Sequence, residues 1–234
     1  MKPIAKVYTA ILFLFLFAPI VIMLVFSFNS GNSLSVLSGF STYWYKELFH
    51  DANTLGALRN TLILALCAAI LSTIMGTAAA VGMNKLRSKY MKAAMNTVTN
   101  LPMVNPEIIT GISLMMLFVA YQRFASELDF LPDNIMGFPT LLIAHIAFNV
   151  PYVIFNVTPK LKQLDIKLFE AALDLGCDPR QAFFKVILPE ISPAILSGFL
   201  ISLTYSIDDF MISYFNCGTV ETLPIAIYSM TRKK

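Results

Sequence analysis

The stretch PAILSGFLISLTYSIDDFMISYF, residues 193–215, decides the fold. Crossing a bilayer takes about 20 mostly apolar residues, and this run is long enough. Yet it carries two adjacent aspartates, Asp208 and Asp209. A carboxylate at the middle of a spanning helix costs roughly 2.5–3.5 kcal/mol on the insertion scale. Counting about 1.5 Å per residue from Pro193, Asp208 lies roughly 22 Å in, just past the midplane. Ionisable groups at that depth usually face a bundle interior or a water-filled cavity and mark a substrate path. Neighbours on a helix are about 100° apart, so both aspartates border one cavity only if it is wide or the helix is broken. Tyr205 and Tyr214 flank them. Carboxylates with aromatic walls suit an alkylammonium, because ring faces attract the cation and contact its methylenes. Structural roles compete with this: either aspartate could pair with an arginine on a partner subunit, or cap a discontinuous half-helix beginning near Ser206.

The rest of the chain agrees that lipid is its solvent. Of its 234 residues, 57% are hydrophobic and 13% charged, against about 25% charged in a soluble domain. Mean hydropathy is +0.70. Four more runs qualify as spans: Val7–Phe28, Thr61–Met83, Leu101–Tyr121 and Phe138–Thr158. This predicts an all-α polytopic bundle of five spans, one transmembrane domain over residues 1–234. The first run is longer than the 7–15 apolar residues of a cleaved signal and is expected to stay as a helix. Gly76, Ala80 and Gly82 have the small-residue spacing that lets another helix come close. Pro102, Pro106 and Glu107 interrupt the third run. Glu107 either borders unwound backbone lining a cavity or caps the helix that restarts there. Pro151 predicts a kink. Tyr43, Trp44 and Tyr45 read as an interfacial belt or an outer re-entrant helix.

Several chemistries are excluded. Cys67, Cys177 and Cys217 lie far apart, with no metal-ligand spacing and no disulfide framework. No Walker-type loop is present, so no nucleotide site of its own is expected; no cofactor and no nucleic-acid partner are expected either. His145 reads as a hydrogen-bonded packing residue.

Orientation follows from the basic residues. Lys2 and Lys6, then Lys85, Arg87, Lys89 and Lys92, then Lys160, Lys162, Lys167, Arg180 and Lys185 fall on one side. The other side holds Lys46, Arg59 and Arg123, with Glu127, Asp129 and Asp133. The N-terminus is therefore expected to be cytoplasmic. The ending SMTRKK conflicts mildly with this, since five spans leave it outside.

Residues 159–192 form the longest cytoplasmic connection. Leu168, Ala171, Ala172 and Leu175 make an apolar face at i, i+3, i+4, i+7 spacing. Gly176 stands where a helix ends in a left-handed residue. Asp178-Pro179 reads as an N-cap with proline at the first helical position. A second short helix should break sharply at Leu188-Pro189, and Ser192-Pro193 should open the last span. Glu170 and Asp174 can take salt bridges from a partner. Such a hairpin either docks a partner and transmits force, or lies on the membrane surface.

EAALDLGCDPRQAFFKVILP, residues 170–189, resembles the EAA motif of bacterial ABC-importer permeases, through Glu170, Ala171, Ala172, Gly176, Val186, Leu188 and Pro189. SIDDFMISYF (206–215), ETLPIAIYSMTR (221–232) and LPMVNPEIITGISLMMLF (101–118) resemble the second permease subunit of spermidine/putrescine importers. The resemblance implies the type I importer permease fold in a bacterial inner membrane. It also implies a second permease subunit, two cytoplasmic ATP-binding subunits seated on the 159–192 element, and an external substrate-binding protein. ATP hydrolysis then belongs to a partner, and Asp208, Asp209, Tyr205, Tyr214 and Glu107 to the substrate path. The family has six spans; the sequence stops at Lys234, where a sixth would begin, and a truncated chain would explain the basic ending. Rival expectations keep the fold with ferric ion, thiamine or a phosphonate as cargo, or make the chain a cation channel or membrane sensor without an ATPase.

Overall fold

The computed structural model describes residues 3–31, 36–86, 88–126 and 136–232. Lys2, Arg87, Glu127, Asp129, Asp133, Lys233 and Lys234 lie outside the described residues. Among the described residues the regular elements are helices, apart from an isolated bridge between Asn29 and Phe40. Five helices are long and apolar enough to cross a membrane. Two compact units divide the chain, Met1–Leu55 and Gly56–Lys234.

In the first unit, helix α1 (Pro3–Phe26) is apolar from Ala10 onward, and its most apolar window buries nothing. The segment after it is folded around Asn29. The Asn29 side chain donates to Val36 O at 2.8 Å and accepts from Ser38 N at 2.8 Å. Trp44, at the start of α2 (Tyr43–His50), donates its indole N–H to Asn29 O at 3.0 Å. Phe28 stacks on Phe40 and leans on Tyr45. Trp44 and Tyr45 therefore staple this turn. Asp51 then starts α3 (Ala52–Lys85), accepting from Asn53 N and from the Thr54 hydroxyl. The Thr54 bond comes first among the causes that hold the Asp51 carboxyl below the usual carboxylate range.

The second unit is built on α6 (Phe138–Gln163), which is buried at intervals along its whole length. It packs most extensively on α9 (Leu188–Asp208). The two run antiparallel, in a register read from three contacts and carried on by a fourth to the segment beyond α9. Lys160 pairs with Glu190 at 2.9 Å. Gly198 lies against Val153. Asn149 donates to Ser206 Oγ at 2.7 Å, and His145 Nε2 is 3.0 Å from Ser213 Oγ. Val153 is fully buried because glycines meet it from two sides. A Cβ on Gly76 of α3 would stand 2.6 Å from Val153 Cβ, so that helix approaches as closely as its small residues predict. Gly82 faces open space instead.

The third run breaks near its prolines as expected, while two other boundaries depart from the simplest reading. The third span is two helices, α4 (Lys89–Val104) and α5 (Glu107–Ser126). Pro102 is accommodated inside α4, and the break falls at Asn105-Pro106, where proline forces its predecessor into extended backbone. The sharp break expected at Leu188-Pro189 is absent. Short helices α7 (Ile166–Asp174) and α8 (Pro179–Ala182) are followed by a π-helical turn, Phe183–Ile187, that leads straight into α9. Leu188 N–H reaches back to Phe183 O; a widened turn absorbs a proline that cannot donate to the ordinary ladder. Finally, the last span is not one helix. It stops at Asp208 and resumes as α10 (Met211–Asn216), before α11 (Leu223–Arg232).

Candidate functional site

The break in the last span separates the two aspartates. Asp208 ends α9 and is exposed. Asp209 has extended backbone and a buried side chain. Its carboxylate accepts from Ile212 N at 3.2 Å and Ser213 N at 2.7 Å, closing the first turn of α10. His145 of α6 stands beside it, 3.6 Å from Nε2 to Asp209 Oδ2. Asn216, at the other end of α10, donates to Gly111 O of α5 at 3.1 Å, and Thr140 of α6 donates to Asn216 O at 2.9 Å. The half-helix is thus held by polar contacts on two sides, deep in apolar surroundings, where an unmade bond is expensive. Gly218, with φ +55, allows the turn after α10 to sit against Met136-Gly137; a Cβ there would fall 2.9 Å from Gly137 N.

Tyr205 and Asp208 are three residues apart on α9, so they share one face, and both are exposed. The Tyr205 ring lies 4.6 Å from Tyr152 and 5.9 Å from Phe148, which contact each other at 5.3 Å. Phe148 is buried and packs with Phe118, Ala144 and Ile212. Glu107 is the first residue of α5 and exposed, one turn before Gly111, whose backbone lies against Met211 and Ile212. Tyr214 belongs to a different ring cluster on α10, with Phe210 at 5.4 Å and Tyr228 of α11 at 6.3 Å. So Tyr205 meets Tyr152 with Asp208 one turn along the same exposed face, Tyr214 stands apart, and Asp209 turns inward. Sequence reasoning missed Tyr152 and Phe148. Their i, i+4 spacing was visible, but nothing in the sequence indicated which helix they would face.

At the other end of α6 lies the helix–turn–helix element. Asp165 caps α7 by accepting from Lys167 N at 3.0 Å, and Asp178 caps α8 by accepting from Gln181 N at 2.8 Å. Between them Gly176 has φ +88. Gly176 N reaches Leu173 O at 2.9 Å and Cys177 N reaches Ala172 O at 3.1 Å, the paired bonds of a Schellman turn. The expected apolar face divides in two. Ala172 is buried, while Leu168, Ala171 and Leu175 point outward, Leu175 at 86% exposure. Inward packing falls to Phe169, which lines a cleft of about 300 Å³ with Leu161, Phe183 and Ile187. Glu170 and Asp174 are exposed beside the outward stripe; Leu188 is half-buried and Pro189 exposed.

Residues 72–231 match the family described as binding-protein-dependent transport system inner membrane component. The chain is 39% identical over 224 residues to the putrescine transport system permease protein PotI of Escherichia coli K12, covering 94% of this chain and 77% of that protein. It is 34% identical over 222 residues to the spermidine/putrescine transport system permease protein PotC of the same strain, covering 94% and 80%. Among solved structures it is similar to a bacterial ABC transporter that imports the polysaccharide alginate, with TM-score 0.75 and 18% identity, covering 98% of this chain and 83% of that one. It is also similar to an amino acid ABC transporter with histidines, with TM-score 0.55 and 20% identity, covering 81% and 84%.

Proposed function

The chain belongs to the family of binding-protein-dependent transport system inner membrane components, and on that premise we propose that it forms half of the membrane path of an ATP-driven polyamine importer. The observation that carries the mechanism is the outward stripe of Leu168, Ala171 and Leu175 beside the Gly176 turn. Apolar side chains exposed at the polar end of a spanning bundle mark a protein contact. Small Ala171 allows close approach, and Glu170 and Asp174 offer charges at its rim. This element seats in a cytoplasmic ATPase subunit, one for each of two permease subunits. ATP is hydrolysed there, and the chain itself turns the resulting motion into access.

The basic residues around α6, α7 and α8 support placing that end in the cytoplasm, with the N-terminus on the same side. An external binding protein delivers the cargo at the α10 end. The relatives named for putrescine and spermidine support a polyamine, and the exposed Asp208, Glu107 and Tyr205 suit alkylammonium groups. Asp209 helps the path by shaping its wall.

The test is reconstitution with the second permease subunit and the ATPase. Putrescine or spermidine on the binding protein should stimulate ATP hydrolysis and drive uptake. Stimulation by a ferric, thiamine or phosphonate cargo, with none by polyamines, would replace the cargo. Failure of the ATPase to co-purify would remove the mechanism.

A further inference from the structure

We propose that Tyr152 and Tyr205, with Phe148 as their floor and a carboxylate serving each, form a waypoint inside the membrane for a linear chain with two ammonium ends. This rests on the polyamine reading and specifies where the cargo is held.

The rings come from two helices and touch, with centroids 4.6 Å apart and planes 47° apart, so together they present one aromatic surface. Tyr152 lies midway along α6, which places this surface near mid-membrane. Phe148 closes its buried side, and Tyr205 keeps 39% of its surface exposed. Ordinary core packing does not account for the charges. Asp208 follows Tyr205 by one turn on the same exposed face. Glu107, at the restart of the third span, stands one turn before Gly111, whose backbone lies against Met211 and Ile212, and Ile212 packs with Phe148. Two carboxylates at this depth are costly unless cations answer them. Among the described residues the ion pairs are Lys160–Glu190 and His145–Asp209, so neither Asp208 nor Glu107 is paired with a side-chain cation. A diammonium supplies both cations and lays its methylenes over the rings; a single ammonium answers one carboxylate only.

Ring fluorination tests this, because it withdraws charge from the π face while barely changing ring shape. Position 205 is filled with phenylalanine and then with its mono-, di- and trifluoro forms. Putrescine uptake by the reconstituted assembly is measured per assembled complex. Uptake should fall with each fluorine, by about tenfold across the series, the scale of a desolvated cation–π contact. Equal uptake across the series would overturn the waypoint and return the rings to packing. Should Tyr205→Phe not assemble, the same series at position 152 is read the same way. An unaltered assembly that imports neither putrescine nor spermidine overturns the polyamine reading together with the waypoint, so the two failures are distinct.

Discussion

His145 Nε2 stands 3.6 Å from Oδ2 of Asp209, the carboxylate that closes the first turn of α10. The same nitrogen is 3.0 Å from Ser213 Oγ, one turn into that half-helix. Asp209 is therefore committed on both oxygens, while Asp208 next to it is exposed. Two neighbouring acids divide the work because the helix breaks between them. α6 joins the two ends of the unit. It holds the break through His145 and Asn149, then runs without interruption to Gln163, two residues before the cap of α7.

Substitutions at the two aspartates should separate cleanly. Asp209→Ala removes an N-cap, worth about 1 kcal/mol, and leaves buried donors unanswered, worth about 1–3 kcal/mol. The purified assembly should melt several degrees lower. Asp208→Asn should leave melting unchanged and cut polyamine uptake at least tenfold. Equal destabilisation by the two would show that the break does not separate their roles.

His145 should tolerate a neutral hydrogen-bonding replacement better than an apolar one. His145→Leu fills the space but leaves Ser213 Oγ without its partner, and it should lower both melting temperature and uptake. His145→Gln can still donate and should recover most of each. A Gln variant no better than Leu would mean that the polar contact contributes nothing beyond packing.

Much of this was legible in the residues. The five apolar runs, the Gly76 approach and the Gly176 turn follow from composition, small-residue spacing and a preference for left-handed backbone. Asp208-Asp209 announced a break or a cavity but not which acid would face it. That depends on the rotation of α9 against α6, fixed by Gly198 against Val153 and by Asn149 with Ser206, contacts between residues far apart in sequence. The π-helical turn was hidden for a related reason. Leu188-Pro189 ordinarily ends a helix, and only the continuous packing of Ile187, Leu188 and Ile191 around Leu161 and Val157 makes a widened turn preferable.

Gly176 should respond to backbone chemistry rather than to size. A Cβ there meets nothing within 4 Å, but φ +88 costs an L-residue about 1–2 kcal/mol. Gly176→Ala should keep ATPase attachment with a modest loss of uptake. Gly176→Pro also removes the N–H bonded to Leu173 O and fixes φ on the wrong side. It should abolish co-purification of the ATPase. Normal attachment in the proline variant would place the docking contact elsewhere.

Two native thiols test the orientation. Cys177 belongs to the elbow between α7 and α8, and Cys217 follows α10 at the opposite end of the bundle. With Cys67 replaced by serine, an impermeant maleimide applied to intact cells should label Cys217 and spare Cys177; permeabilised cells should label both. Burial is the main cause pushing the Cys217 thiol above its usual range. The thiolate is the reacting form, so a raised pKa means less of it at neutral pH. Cys217 should therefore label slowly near pH 7 and speed up about tenfold per pH unit until the thiol ionises. Labelling of Cys177 from outside would invert the topology. A Cys217 rate that stays flat between pH 7 and pH 9 would show an already ionised thiol, and so a far wetter outer end of the path than the packing around α10 allows.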